Sequence, residues 1–159
     1  MRRGTTWLLA LSAVALAAST STAGPGKAKL LVQDLVPQGV EAHEAAVIST
    51  AACNAIAKDG KFDVLCGEDL RNLMRFGALS ASFDGCAAED CFASMGKAMQ
   101  ARYVVSGSVS KLGATFVLNL SMFDTEAGRP VGRTEVKAAT IEKLHDSATE
   151  AASAILTNR

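Results

Sequence analysis

The clearest pattern of apolar and polar positions runs from Thr115 to Phe123. Apolar residues occupy every second position there, which is typical of a strand with one buried face. The residues on that face are Phe116, Leu118, Leu120 and Met122. Segments 102–109 and 129–137 are also predicted as strands. Turns at 111–114 and 124–128 separate the three, because glycine accepts the positive φ that tight turns require. The pattern therefore predicts an antiparallel meander.

The part of the chain before the meander alternates between strand and helix patterns. Residues 29–36 form an apolar run that predicts a first strand, stopped by Pro37. Residues 39–58 predict a helix that ends at Asp59-Gly60. Its buried positions are expected to be Ile48, Ala52, Ala55 and Ile56. A second strand is predicted at 61–66. A second helix from Gly67 is expected to bury Leu70, Leu73 and Met74 and to expose Arg71 and Arg75.

Two further helices are predicted, one on each side of the meander. Residues 77–85 are expected to form a loop. The helix after it carries Cys91, Phe92, Met95, Ala98 and Met99 on one face. We interpret this methionine-bearing face as core, with a ligand groove as the alternative. The closing helix spans 140–156 with Thr140 as its N-cap. Its apolar stripe is Ile141, Leu144, Ala148, Ala151, Ala152 and Ile155.

The order of predicted elements gives the fold class. It is β-α-β-α-α-β-β-β-α, an α+β sandwich of two or three layers. Its three-stranded antiparallel meander lies at the C-terminal end, and its helices pack on the sheet. The 159 residues suffice for one domain with one core.

Residues 1–23 have the composition of a secretory signal peptide. A positive start at 1–3 precedes an apolar stretch at 7–18, and 21–23 is a small-x-small cleavage site. The apolar stretch is shorter than the roughly 20 residues of a transmembrane helix, so cleavage is expected rather than anchoring. The expected mature domain is 24–159, exported to the periplasm or cell envelope and without a membrane span.

The charge of the chain argues against a nucleic-acid partner. The whole sequence has 16 basic and 16 acidic residues, and removal of Arg2 and Arg3 leaves a net charge of about −2. There is no basic run and no patch of aromatic and basic residues, as nucleic-acid binding requires.

Four cysteines lie in the expected mature domain, and an exported chain with an even number favours two disulfides. Three connectivities are possible, and we favour Cys86–Cys91 with Cys53–Cys66. A zinc site is the first alternative, but the chain has no Cys-x-x-Cys knuckle. A redox-active dithiol at Cys86 and Cys91 is the second, although its spacing differs from that of Cys-x-x-Cys oxidoreductases.

No catalytic constellation is recognisable in the sequence. Ser106-Gly107-Ser108 is not a nucleophile elbow, and no phosphate-binding glycine motif is present. His145 and Asp146 are neighbours on a helix and point about 100° apart, so they do not form a triad pair. His43 is expected at the surface. We therefore expect neither an enzyme nor a cofactor.

Several segments together resemble a family of exported envelope domains. They are Phe62–Leu70, Cys86–Phe92 followed by Gly96–Val109, and Asn119–Gly128, where the family typically has a leucine-x-aspartate-x-x-threonine-glycine turn. The chain is similar over about 29–155 to the N-terminal domain of TolB and to the CsgG/LpoB group. It lacks a β-propeller, a lipobox cysteine and long amphipathic hairpins, so the resemblance does not extend to pore formation or lipid anchoring.

The resemblance implies a non-enzymatic protein-binding or scaffolding module that binds envelope proteins or itself. We expect the contact surface at a sheet edge or in the loop from Ser80 to Cys91. The candidate binding residues in that loop are Ser80, Phe83, Asp84, Glu89 and Asp90. The alternative function is a thiol–disulfide or metal-binding factor acting through Cys86 and Cys91. A ligand pocket under the methionine-bearing helix is a third possibility.

Overall fold

The computed structural model describes residues 26–76, 94 and 96–157, and within these ranges it contains six strands and three complete helices. The strands are β1 Lys29–Val32, β2 Val36–Gln38, β3 Asp63–Cys66, β4 Tyr103–Leu112, β5 Thr115–Asp124 and β6 Arg129–Ala138. The helices are α1 Ala42–Asp59, α2 Gly67–Phe76 and α3 Ile141–Thr157. Residues 96–99 are helical and lead into β4.

The six strands form one mixed sheet in the order β3-β1-β4-β5-β6, with β2 paired to β4 outside this path. Strand β1 is parallel to both β3 and β4, whereas β4, β5 and β6 are antiparallel. The predicted α+β class and the antiparallel meander are therefore confirmed. No helix in the described ranges is long and apolar enough to span a bilayer.

The prediction of one continuous first strand at 29–36 is wrong. The strand ends at Val32, and the chain re-enters the sheet as β2, where Pro37 lies opposite Val109. Between them Leu35 is buried, and its N–H donates to Ser49 Oγ of α1 at 2.7 Å. Gly107 leaves room for this crossing, because a Cβ there would lie 2.9 Å from the Leu35 side chain.

The predicted turn at 111–114 is too long. Leu112 pairs with Thr115, so only Gly113 and Ala114 connect β4 to β5, and Gly113 has a φ of 61°. Helix α1 also begins later than predicted, because Glu41 is its N-cap and shares a capping box with Glu44.

One face of the sheet carries the main core, against which α1 and α3 pack side by side. The predicted alternation in β5 and the stripe of α3 both point into it. Thr140 Oγ1 accepts the Lys143 N–H at 3.3 Å, as expected of an N-cap. The buried residues of the main core are Leu30, Val32, Leu35, Ala45, Ile48, Ala52, Cys53, Ile56, Phe62, Val105, Val109, Leu118, Leu120, Met122, Leu144, Ala148, Ala151, Ala152, Ile155 and Leu156.

The opposite face carries a much smaller second cluster. Its buried residues are Leu31, Leu70, Ala101 and Val104, with Leu65 and Met99 packed against them. Leu70 comes from α2 and Met99 from the helical residues before β4. The second cluster therefore covers β1, β3 and only the beginning of β4.

Candidate functional site

A cleft of about 140 Å³ opens where the parallel strands β1 and β3 end. Its walls are the segment that follows β1, one side of α1 and the first turn of α2. The carboxyl ends of parallel strands are a common position for binding sites in α/β sheets. The cleft is therefore a candidate binding or catalytic site.

A disulfide between Cys53 of α1 and Cys66 at the end of β3 lies in the wall of this cleft, with 5.9 Å between the two Cα atoms. This is the pairing that we favoured from the sequence. Cys53 is 2% exposed, whereas Cys66 is half-buried. Cys86 and Cys91 lie outside the described residues, and their disulfide stays a prediction.

Two of the charged side chains that line the cleft form an ion pair, and a third binds a backbone N–H. Asp34 forms an ion pair with Arg71, both about half-exposed, and Asp69 Oδ2 accepts the Cys66 N–H at 3.1 Å. Gly67 has no side chain that would collide with Asp34, since a Cβ there would lie 2.4 Å from its carboxylate. These contacts join β1, β3 and α2, so the charges serve the junction of three elements.

The cleft holds no arrangement typical of catalysis. Neither His43 nor His145 lines it, and the nearest polar partner of His145 is Asp146, at 3.5 Å from Nδ1 on the exposed side of α3. Across the ranges that the structure describes, no three His, Cys, Asp or Glu side chains are grouped to hold a metal ion.

A second polar cluster fixes the turn between β5 and β6. The Thr125 hydroxyl reaches the carbonyls of Ala101 at 2.8 Å and Arg102 at 3.0 Å. The buried Asp124 accepts two N–H groups of the turn. Arg102 lies 3.1 Å from Glu126, and the neighbouring Tyr103 together with Glu126 raises the pKa of Arg102. The turn belongs to Asn119–Gly128, one of the three segments that carry the family resemblance, and we call this hydrogen-bonded cluster the turn clamp.

This clamp also contacts the C-terminal end of the helical residues that precede β4. The Ala101 N–H donates to the Gly96 carbonyl at 2.7 Å and the Gln100 N–H to the Lys97 carbonyl at 3.2 Å, which together form a Schellman cap. Gln100 adopts a φ of 53°, a value that favours glycine. A Cβ at Gly96 would lie 2.2 Å from the Thr125 methyl group.

Beyond the second cluster, the outer halves of β4, β5 and β6 form a surface that we call the open face. Alternation places its side chains opposite the main core. They are Ser106, Ser108, Ser110, Val117, Asn119, Ser121, Arg133, Glu135 and Lys137, of which Val117 is 8% exposed. Among the described residues no helix packs on this surface. At its β2 border Val36 is 56% exposed, and at the hairpin tip Leu112 is 78% exposed.

The exposed edges of the sheet are poorly suited to pairing with another strand. Strand β6 begins with Arg129-Pro130, contains a bulge opposite Met122 and Phe123, and carries the ion pair Glu135–Lys137. Strand β2 has three residues and includes Pro37, and β3 has four. Proline, charge, bulges and short length are the features by which natural proteins protect edge strands.

The binding residues predicted from the sequence, Ser80, Phe83, Asp84, Glu89 and Asp90, lie outside the described residues. The structure does place the elements on both sides of that segment. Leu70 of α2 and Met99 both belong to the second cluster. The described residues on both sides of that segment therefore contact the side of the sheet that bears the open face.

Two features were missed at the sequence level. Arg71 was expected only to be exposed, and its partner Asp34 was placed inside a strand. The open face had a visible signal, since Ser106, Ser108 and Ser110 alternate with Val105 and Val109 at the period of a strand.

No protein-family model and no curated protein matches the chain. Several solved structures do. The LpoB C-terminal domain from Escherichia coli matches with a TM-score of 0.56 at 20% identity, covering 72% of this chain and 84% of that one. Lipoprotein GNA1162 from Neisseria meningitidis matches with 0.54 at 12% identity, covering 70% and 79%. The PelC dodecamer from Paraburkholderia phytofirmans matches with 0.50 at 16% identity, covering 84% and 86%.

These likenesses confirm the predicted resemblance to the LpoB group at the level of fold. Identities of 20% or less carry no site residue from those proteins to this chain. Function therefore has to be argued from the surfaces of this molecule.

Proposed function

We propose that this chain is a non-enzymatic protein-interaction module of the cell envelope, with the open face as its contact surface. The observation that carries the proposal is the unequal covering of the sheet. Helices α1 and α3 bury one face, and no described helix covers the opposite face from Ser106 to the hairpin tip. The likeness to the LpoB domain and to a lipoprotein supports the envelope part of the proposal.

The open face has the composition of a surface that docks on protein. Its centre holds small hydroxyl and amide side chains, which allow close approach and form hydrogen bonds at little cost in side-chain entropy. Exposed Val36 and Leu112 supply apolar contact at one border, and the charges of Arg133, Glu135 and Lys137 supply specificity at the other.

The loop from Ser80 to Cys91 remains part of the proposed surface. The described elements that flank it in sequence, α2 and residues 96–99, both contribute to the second cluster on this side of the sheet. We propose that a partner bound to the open face also contacts Phe83, Asp84, Glu89 and Asp90. We propose the open face and this loop together in place of a sheet edge, because the described edges are protected.

The test is capture of partners from a detergent extract of the cell envelope. A variant carrying Ser108→Arg and Asn119→Arg places two bulky charges at the centre of the open face. The matched control is Thr149→Arg, an exposed position of α3 on the far side of the molecule. We expect the wild type and the control to retain the same partner and the open-face variant to lose it. Equal capture by all three proteins would reject the open face.

Self-association is the second form that the proposed interaction takes. PelC, whose fold is similar, is a dodecamer in its solved structure, so the same surface has to be tested for contacts between copies. Light scattering coupled to size exclusion gives the mass of wild type and variant over a range of concentrations. A monomer in light scattering together with an empty capture experiment would remove the support for an interaction module.

We also propose that residues 1–23 are removed on export. The support is their charged start, short apolar stretch and small-x-small site. Intact mass measurement on protein from an exporting host gives the answer directly. A mature chain that begins at Gly24 is expected, and retention of the first 23 residues in the exported protein would contradict the proposal.

A further inference from the structure

The β3–α2 unit, residues 63–76, has few buried contacts with the rest of the described sheet region. Strand β3 has four residues and pairs with β1 on one side only. Helix α2 follows Cys66 without a connecting loop, and of its described side chains only Leu70 is buried. Its ion pair from Arg71 to Asp34 is half-exposed, and such pairs contribute little.

One covalent bond ties this weakly held unit to the main core. Cys53 lies in α1 among the residues of the main core, and it is bonded to Cys66 at the point where β3 becomes α2. The bond closes a loop of 13 residues in sequence separation. The disulfide therefore holds the unit at the point where β3 meets α2. Without it, β3 and α2 would be able to separate from the main core together.

The two sulfur atoms differ in how a reductant can reach them. Cys53 is buried in the main core, whereas Cys66 is half-buried and both line the cleft at the end of β3. A thiolate that enters the cleft therefore attacks Cys66 Sγ. The Cys53 sulfur is the leaving group, and its apolar surroundings disfavour the thiolate, which slows the reaction with simple thiols.

We infer that the Cys53–Cys66 disulfide is a redox latch that controls release of the β3–α2 unit and access to the edge of β1. A dithiol reductant forms a mixed disulfide with Cys66, and Cys53 takes up a proton. The second thiol of the reductant then attacks the reductant sulfur that is bonded to Cys66, and Cys66 is released as a thiol. The protein gains two electrons and two protons, and the reductant leaves as a disulfide.

Release of the unit has a defined structural consequence. In the oxidised protein the four residues Lys29–Val32 of β1 pair with Asp63–Cys66 of β3. When β3 departs, the backbone groups of β1 on that side lose their partners. An unpaired edge beside the buried residues Leu30 and Leu31 is the kind that accepts an added strand.

The latch is tested by amide hydrogen exchange followed by mass spectrometry. The oxidised wild type is compared with a variant carrying Cys53→Ala and Cys66→Ala, in which Cys86 and Cys91 are unchanged. By the loop-closure model we expect exchange in 63–76 and 29–32 to rise on the order of 100-fold. Peptides from β5 and α3 should keep the wild-type rate. The control Asp34→Asn breaks the ion pair and should change the same peptides only a few-fold.

A second measurement avoids the variant altogether. Wild type is treated with dithiothreitol and pulse-labelled as soon as mass spectrometry shows the Cys53–Cys66 bond reduced. An equal thiol concentration of 2-mercaptoethanol should reduce this bond far more slowly. Two outcomes overturn the inference. One is unchanged protection of 63–76 in the reduced protein, which makes the bond a passive staple. The other is an equal rise in β5 and α3, which makes the opening global. The inference does not depend on the proposed function.

Discussion

The two faces of the sheet are stabilised to very different degrees. On one face α1 and α3 enclose a main core of 20 buried residues, most of them from β1, α1, β4, β5 and α3. On the other face the second cluster has four. Hydrophobic stabilisation grows with the apolar area buried, so cooperative stability resides in the main core. The second face is held by a disulfide, a turn clamp and one ion pair.

The elements that stabilise the fold are therefore different from the elements that are available for binding or local opening. Elements with few buried contacts open at lower free energy than the global transition. Helix α2, the cleft and the open face all lie on the sparsely packed side or at its border. The comparison therefore predicts that changes to the two faces have effects of different size and of different extent.

The largest difference is expected between two leucine truncations. Leu144→Ala removes a side chain that is fully buried between α3 and the sheet, and it should lower the free energy of unfolding by about 3–4 kcal/mol. Leu70→Ala in the second cluster should cost about 2 kcal/mol or less, because its site can relax. Urea unfolding followed by circular dichroism measures both. Equal losses would show that the two faces form one cooperative core.

The next effect concerns the turn clamp. Gly96→Ala places a methyl group against Thr125, whose hydroxyl is held by two carbonyls, and should cost about 1–3 kcal/mol. Thr125→Ser keeps the hydroxyl and removes the methyl group in contact. The double variant should therefore recover part of the loss but not all of it, because the added methyl group would still lie 2.8 Å from the Cβ of residue 125. Simple additivity of the two single changes in urea unfolding would contradict the contact.

Gln100→Gly should stabilise the second face. Gln100 adopts a left-handed conformation at the C-terminal end of the helical residues, where glycine is the usual residue. The gain is about 0.5–1 kcal/mol, after allowance for the greater freedom of glycine in the unfolded chain. Thermal unfolding detects the gain. Gln100→Ala is the matched control, since alanine keeps the Cβ strain and should give no such increase.

The smallest effect depends on pH and lies at the start of α3. A hydrogen bond from its own N–H and one from the Thr140 hydroxyl lower the pKa of Glu142 from its ordinary value of 4.5. A carboxyl group with a lowered pKa stabilises the fold above that ordinary value and loses this contribution as the pH falls through the folded-state pKa. Glu142→Gln should therefore be less stable than wild type at pH 7, with the difference shrinking below pH 4.5. Because the group is exposed, added salt should also reduce it.

The sequence was sufficient for the elements whose pattern is local. The alternation from Phe116 to Met122, the stripe of α3 and its cap at Thr140 all follow from neighbours a few residues apart, and the structure contains them. The disulfide between Cys53 and Cys66 was also anticipated, because helix and strand are adjacent along the chain.

Features that depend on contacts between residues far apart in the sequence could not be predicted from local patterns. The break between β1 and β2 exists because Leu35 packs over Gly107, more than 70 positions away in number, and bonds to Ser49. The cleft arises only where α1, β1 and α2 meet, and Asp34 gains Arg71 as a partner by that meeting. Nothing in the apolar run 29–36 itself indicates that the strand is broken after Val32, because the break depends on Gly107.

The position of β1 between β3 and β4 has a consequence for the order of folding. The meander from β4 to β6 needs only two short turns, so its loop-closure cost is low and it can form by itself. Strand β1 contacts β4 across a large sequence separation, as the bond from Lys29 Nζ to the Met99 carbonyl, 70 residues away, shows. During synthesis on the ribosome, β1 therefore cannot pair with β4 until β4 has left the ribosome. We expect the N-terminal third to be the last part to gain protection in refolding and the part most in need of a chaperone.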